Sequence, residues 1–334
     1  MRNAKYLLSL FPGIVTLLGN AAGGWWVCSN IIFSLVVLAI AESFTGENTD
    51  NNFEESSSLP DMILYAHVVL QTLCISTLFY AIKFYQLSNV QILLAALSTG
   101  IHSGSSAIII AHELIHRKEK HFQYLGKFLL LTSGNIYFYV NHLRVHHKWV
   151  GTMRDPATSR LGENVYKFFI RSASQQIVSS YKIEQARIKK QNQSFIYNYV
   201  VWNSFMIVVI IATLFVFISW NAAVAFLIQM LLANFLLEYV NYIEHYGLVR
   251  KEDERVREMH SWQSDKVVSR FFLVDLSRHA DHHYFASKHY HTLQTYDNSP
   301  KLPGGYVQMI YYALIPPIWF GATHKILRAQ GYID

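Results

Sequence analysis

Six apolar blocks dominate the chain and leave few folds open to it. Residues of about 7–18, 25–43, 62–84, 89–111, 196–218 and 222–244 carry few charged groups. Most of these blocks reach or approach the roughly 20 residues that a helix rising 1.5 Å per residue needs to cross a bilayer. Composition agrees: of 334 residues, 52% are hydrophobic and 15% charged, and the mean hydropathy is +0.18. A disordered chain, a coiled coil and a disulfide-stapled secreted domain are thereby excluded. Cys28 and Cys74 are the two cysteines and both lie in apolar blocks, so no thiolate-held cluster is expected. Pro12 interrupts the first block and no small-residue cleavage site follows, so it is read as a short retained helix rather than a signal peptide.

Short connections at residues 19–24, 85–89 and 219–221 pair the blocks into three hairpins. The expected fold is therefore an all-α integral membrane protein of about six transmembrane helices, a single membrane-embedded catalytic domain over 1–334. Both termini and the long segments 112–195 and 245–334 then emerge on one side. Of the 28 lysines and arginines, all but Lys83 belong to that side, which the positive-inside rule makes the cytoplasm, in a cell inner (plasma) membrane. The net charge of +6 is read as topology signal plus attraction to lipid headgroups, with an acidic partner protein as the alternative and no nucleic acid as partner. Segments 122–140 and 304–320 are apolar but are expected to lie at the membrane interface. Residues 42–60, rich in Glu, Asp, Asn and Ser, are expected to form a solvated loop without chemistry.

Sixteen histidines are present, and nine form four groups: His112 with His116; His142 with His146 and His147; His245; and His279 with His282 and His283. On a helix, residues four apart share a face, so His112 and His116 point the same way. The second and third groups each read as two nitrogens one turn apart plus an immediate neighbour. Neutral imidazole suits iron, zinc, copper and nickel, and nine imidazoles exceed what one metal takes. Two metal ions are expected. His260 is read as a further residue near them, whereas His67, His102, His121, His289, His291 and His324 are read as structural.

Two other classes compete. His112-Glu113-Leu114-Ile115-His116 satisfies the H-E-x-x-H pattern of an intramembrane zinc metalloprotease, with Glu113 as general base. That reading leaves seven clustered histidines unexplained. A metal transporter would hold its site near the bilayer midplane rather than at helix ends.

The three histidine groups beginning at His112, His142 and His279 resemble the histidine boxes of the integral-membrane diiron desaturase and hydroxylase superfamily. Four stretches, residues 112–116, 155–163, 241–248 and 278–283, resemble the membrane-bound alkane hydroxylases more closely than the desaturases. The similarity runs from about Trp25 to about Phe320. It implies that His112, His116, His142, His146, His147, His245, His279, His282 and His283 ligate two iron ions. It further implies hydroxylation of a terminal methyl, on an alkane or related chain drawn from the bilayer, with O2 and electrons from rubredoxin or ferredoxin and an NAD(P)H-dependent reductase. Acyl desaturation or hydroxylation within the same superfamily is the alternative. The chain departs from the usual family pattern at Ile115, Asn141, Leu143, Val145, Ser277 and Ala280, none of which removes a ligand.

Glu113, Asp281, Glu244, Glu238 and Asp155 are candidates to accept the second N–H of a ligating imidazole. Selectivity for a chain end must come from position, so an apolar channel is expected, with Ser34, Ser103, Gly104, Ser105 and Ser106 either lining it or serving close helix packing. Arg144, Lys148, Arg154, Arg250 and Lys251 are candidate docking residues for an acidic electron donor.

Overall fold

The computed structural model describes residues 2–52 and 58–334, and among them it is helical, with two isolated bridges and no β-strand. A 3-10 stretch, Arg2–Leu10, leads into α1 (Phe11–Ala22). The remaining long elements are α2 (Gly24–Phe44), α3 (Leu59–Phe84), α4 (Asn89–His116), α5 (Lys120–Thr132), α6 (138–149), α7 (Val165–Lys190), α8 (Tyr199–Phe217) and α9 (Trp220–His245). Four shorter helices follow: α10 (Val267–Phe272), α11 (His279–Tyr284), α12 (Tyr306–Ala313) and α13 (Pro316–Ala329).

Among the described residues, α2, α3, α4, α8 and α9 are long and apolar enough to cross a membrane. Five of the six expected spans thus appear as full-length helices. The first hairpin is present, but its first arm is the 3-10 stretch continued by the twelve residues of α1, packed along α3. Its turn needs glycine twice. Gly23 and Gly24 both have positive φ, and a Cβ on Gly23 would stand 2.5 Å from the Tyr85 ring, a conformation and a space that suit only glycine.

Polar caps set the other helix starts. Ser88 and Gln91 form a reciprocal capping box at α4, while Asn164, Asn198 and Ser219 accept backbone N–H groups at α7, α8 and α9. These caps satisfy donors that lipid cannot. The outward faces stay apolar and exposed, as on α8 with Val208, Val216 and Phe217.

Helices α4 and α9 pack at the centre through small residues. A Cβ on Gly104 would lie 2.8 Å from Leu236 Cβ, and one on Gly100 would lie 3.0 Å from the Gln229 carbonyl oxygen. Backbones approach this closely only without side chains between them. Both helices end in histidine at the same end of the bundle. There Trp262, Trp319, Tyr242 and Tyr246, all fully buried, tie α9 to the C-terminal segments. Lys83 marks the opposite end, donating to the Phe217 carbonyl.

The expectation of a solvated loop at 42–60 is corrected for its first part. Glu42 is fully buried, bonded to Ser269 Oγ and to the Gln308 N–H. Arg270 and Arg278 donate to the Asn48 carbonyl, and Arg278 also to that of Asp50. Two buried guanidiniums need acceptors, and this strand-like stretch supplies them. Phe53–Ser57 of that segment lies outside the described residues.

Candidate metal centre

Nine histidines converge where α4, α6, α9 and α11 meet, and they divide five to four. His112, His116, His142, His147 and His282 form one group, and His146, His245, His279 and His283 the other. In each group, one ligand atom per residue lies within 4.8 Å of all the rest.

The division does not follow simple helical spacing. Residues 142–146 form a π-turn, and widening the turn to i→i+5 brings His142 together with His147, their Nε2 atoms 3.0 Å apart. His146 then faces the other group, with its ring 4.9 Å from His245 and 4.7 Å from His283. The expected pairing of His142 with His146 is corrected by this extra residue in the turn. On α11 the helix is regular, so His279 and His283 share the four-residue group and His282 crosses to the five.

The donor geometry fits metal ions. In the five-histidine group, Nε2 atoms stand 2.8 Å (His112 to His282), 3.0 Å (His116 to His142), 3.2 Å (His116 to His147) and 3.1 Å (His147 to His282) apart. Metal–nitrogen bonds of about 2.1 Å at right angles would place neighbouring nitrogens about 3.0 Å apart. In the other group, His146 Nε2, His245 Nε2 and both ring nitrogens of His279 and His283 are buried without a hydrogen-bond partner. Each neutral ring has one N–H and one lone pair, and a buried lone pair without a partner is costly unless a cation takes it.

Burial, reinforced by neighbouring imidazoles, pushes His142, His147, His279, His282 and His283 well below the ordinary histidine pKa. They are therefore neutral at pH 7, the form that ligates metal.

The five candidate carboxylates take three roles. Asp155 lies 2.8 Å from His146 Nδ1 and also accepts from Thr158 Oγ1. Burial raises its pKa, but the attraction of His146 and these bonds outweigh it and hold the group below the usual carboxylate value. Glu244 has one oxygen 3.2 Å from His279 Nε2, close but outside hydrogen-bond geometry, and the other accepts from the Tyr306 hydroxyl. Among the described residues, Glu113, Asp281 and Glu238 bond to no imidazole. Glu113 pairs with Arg117 at 2.8 Å and accepts the Tyr290 N–H, Asp281 is taken by Lys288, Tyr296 and Gln294, and Glu238 accepts from Gln176. With Glu113 turned away from the centre and five histidines where a zinc protease uses three protein ligands, the geometry is not that of the protease reading.

His260 stays outside both groups. Its Nδ1 accepts the Arg257 N–H, closing its own turn. The next residue, Ser261, reaches the centre instead, with Oγ 3.4 Å from His245 Nδ1. Sequence reading missed Ser261 and Tyr306. A buried Glu244 beside His245 requires a donor, but nothing in the sequence says which of 21 tyrosines supplies it.

A narrow apolar cavity of about 80 Å³ lies between α2, α4, α9, α10 and α12, with Ser34, Leu38, Gly104, Ser105, Leu236 and Tyr306 among its walls. Gly104, Ile109 and Val240 are shared with a smaller void that touches His112, His142 and His279. The small residues thus divide: Ser34, Gly104 and Ser105 line the cavity, whereas Ser103 and Ser106 bond to Gln71 and His67.

Of the expected docking residues, Arg250 is corrected. It is buried, and it donates to the carbonyls of Lys148, Val150, Lys251 and Glu254, which hold it as a structural staple. Arg144, Lys148, Arg154 and Lys251 are exposed.

Comparison with known proteins agrees with this architecture. The family model described as fatty acid desaturase matches residues 88–313. The chain is 32% identical to alkane 1-monooxygenase 1 and 32% to alkane 1-monooxygenase 2 of Pseudomonas aeruginosa, covering 93% and 91% of this chain and 85% and 84% of those proteins. It is 31% identical to alkane 1-monooxygenase 2 of Alcanivorax borkumensis, over 93% of this chain and 85% of that one. With its paired histidine clusters and membrane-spanning helices, the chain belongs to the alkane hydroxylase family, within the fatty acid desaturase family of integral-membrane diiron enzymes.

Proposed function

We propose that this protein hydroxylates the terminal methyl of an alkane or related alkyl chain, using O2, two electrons and two protons per turnover, with one oxygen atom entering the alcohol and the other leaving as water. The observation that carries this reading is the apolar cavity in the bundle interior, which shares Gly104, Ile109 and Val240 as walls with the smaller void at His112, His142 and His279. A terminal C–H bond is stronger than the internal ones, so only end-on delivery selects it. His112, His116, His142, His147 and His282 would hold one iron ion and His146, His245, His279 and His283 the other, and these ions, when bound, would supply the O2 activation that an unactivated C–H bond requires.

The chain's own residues do the positioning. Asp155 and Ser261 orient His146 and His245 through their Nδ1 atoms, leaving Nε2 free to ligate. Tyr306 holds Glu244 beside His279 while its ring walls the cavity. Leu38, Leu236 and Ile109 exclude water from the path of the chain. The substrate enters from the bilayer.

The sequence holds two cysteines, too few for an electron-transfer cluster, so electrons come from a separate protein: rubredoxin, or ferredoxin, with its NAD(P)H-dependent reductase. Lys148 and Lys251, exposed beside the second histidine segment and the end of α9, offer positive charge to such an acidic donor, whereas Arg154 is paired with Glu252 at 3.0 Å. The charge asymmetry supports an inner-membrane location with the metal centre, the termini and the segments 112–195 and 245–334 facing the cytoplasm. One catalytic domain comprises 1–334.

The deciding experiment supplies purified protein with donor, labelled O2 and a panel of alkanes, fatty acids and alkylbenzenes. A primary alcohol carrying one labelled oxygen is the expected product. An unlabelled alkene would overturn the hydroxylase reading in favour of a desaturase.

A further inference from the structure

Away from the metal centre, a groove of about 580 Å³ opens where α5, α6 and α7 meet the start of α8. Lys127, Tyr139, Arg144, Arg187, Tyr199 and Trp202 line it. The charges within it do not cancel. Arg187 is fully engaged by Glu184, by Gln191 and Gln193, and by the Tyr197 carbonyl. Glu184 is likewise consumed, by Arg187 and the Tyr199 N–H. Lys127 and Arg144 have no carboxylate partner among the described residues. The Lys127 ammonium rests on aromatic faces instead, 4.1 Å from the Tyr139 ring centre and 5.7 Å from that of Tyr199. The groove therefore carries about two uncompensated positive charges. It also holds the Tyr199 hydroxyl, which is buried without a hydrogen-bond partner.

Its position narrows the choice of ligand. Tyr199 and Trp202 belong to the first turn of a membrane-spanning helix, and Phe195, Ile196, Tyr197 and Trp202 beside them are all more than half exposed. Aromatic belts of this kind sit at headgroup depth. Two free cations, a hydroxyl donor and an aromatic rim at that depth match a phosphate diester with acyl chains lying against α8.

We propose that this groove binds the headgroup of an anionic phospholipid, with Lys127, Arg144 and the Tyr199 hydroxyl on its phosphate. Arg144 lies inside the π-turn that carries His142 and His146. A lipid bound there would tether the helix of the second histidine segment to the membrane surface. The docking surface proposed for the electron donor, at Lys148 and Lys251, remains free.

The test uses full-length protein in detergent micelles titrated with phosphatidylglycerol, phosphatidylcholine or inorganic phosphate, read by thermal unfolding and by native mass spectrometry of retained lipid. Phosphatidylglycerol should raise the melting temperature and remain bound, whereas phosphatidylcholine and phosphate should do neither. The Lys127→Gln/Arg144→Gln double variant should weaken the phosphatidylglycerol response on the order of tenfold or more, since each basic residue near an anionic lipid contributes about 1 kcal/mol. Tyr199→Phe, which keeps the ring, should weaken it less and serves if the double variant folds poorly. Lys189→Gln/Lys190→Gln, exposed charges at the end of α7, should respond like the parent. Equal responses to phosphatidylglycerol and phosphatidylcholine would overturn the proposal. So would a groove variant that keeps its lipid response but loses reduction by the donor, because the groove would then be a protein-docking surface.

Discussion

Asp155 Oδ2 and His146 Nδ1 lie 2.8 Å apart, both side chains buried, nine residues apart on either side of the turn that ends α6. This contact fixes the tautomer of His146 and aims its Nε2 at the four-histidine group. Asp155→Asn, which weakens the acceptor while keeping the shape, should lower metal affinity at that group about 10- to 100-fold. Iron titration of the apo protein, followed by metal analysis, should show one tight and one weakened equivalent. Two equally tight equivalents would mean that Asp155 serves folding alone.

His245 and His260 make a matched pair for testing the ligand set. His245 stands within the four-histidine group, and His260 closes a turn outside it. His245→Ala should reduce iron from two per chain towards one and abolish activity. His260→Ala should retain two irons, with at most the modest destabilisation of a lost buried hydrogen bond, about 1 kcal/mol. Elemental analysis of both variants decides the matter.

Ser34 lines the cavity with its hydroxyl on Asn30. Ser34→Phe fills part of that space, at an overpacking cost of about 1–3 kcal/mol. Iron content should stay at two while product analysis across an alkane series shifts towards shorter chains. A uniform loss of activity at every chain length would mean that Ser34 is not on the path of the substrate.

Acid should destabilise the metal-free protein. His142, His147, His279, His282 and His283 have pKa values pushed well below the ordinary one, by burial first and neighbouring imidazoles second. Their unfolded pKa is about 6.5, so below that pH the unfolded chain binds more protons than the folded one. Stability is then complete above about pH 6.5 and is lost as pH falls towards the depressed folded values. His291, held to about 4 by burial, acts in the same direction. Melting temperatures in detergent with chelator should fall steadily between pH 7 and pH 5. A flat profile would show that these imidazoles gain water or partners in the apo state.

Arg250 and Lys251 are neighbours with opposite expectations. Arg250 caps four carbonyls from a buried position, and Arg250→Ala should cost about 3 kcal/mol or more, visible as a lowered melting temperature. Lys251 is exposed. Lys148→Glu/Lys251→Glu should leave the melting temperature and iron content unchanged while raising the KM for the reduced donor about tenfold at low salt. Unaltered donor kinetics would remove this face from the docking surface.

Much of this protein is determined along the chain itself. Apolar blocks of bilayer length make α2, α3, α4, α8 and α9, because lipid leaves a backbone no partner but its own helix. The asymmetry of lysine and arginine is the basis for proposing that the long polar segments share one side, and the spacing of nine histidines announces two metals. These properties are local, set by residues within a turn or two of each other. The tertiary structure decided the rest. A π-turn at 142–146 pairs His142 with His147 and sends His146 to the other group, a register that follows from how α6 packs and not from its spacing. Glu113 and Asp281, adjacent to ligands in sequence, are captured by Arg117 and Lys288, while Asp155 and Glu244 face the imidazoles. Tyr306 reaches Glu244 across 62 residues and Glu42 reaches Ser269 across 227. A buried polar group takes whichever partner the fold brings within about 3 Å, and sequence distance does not enter that choice.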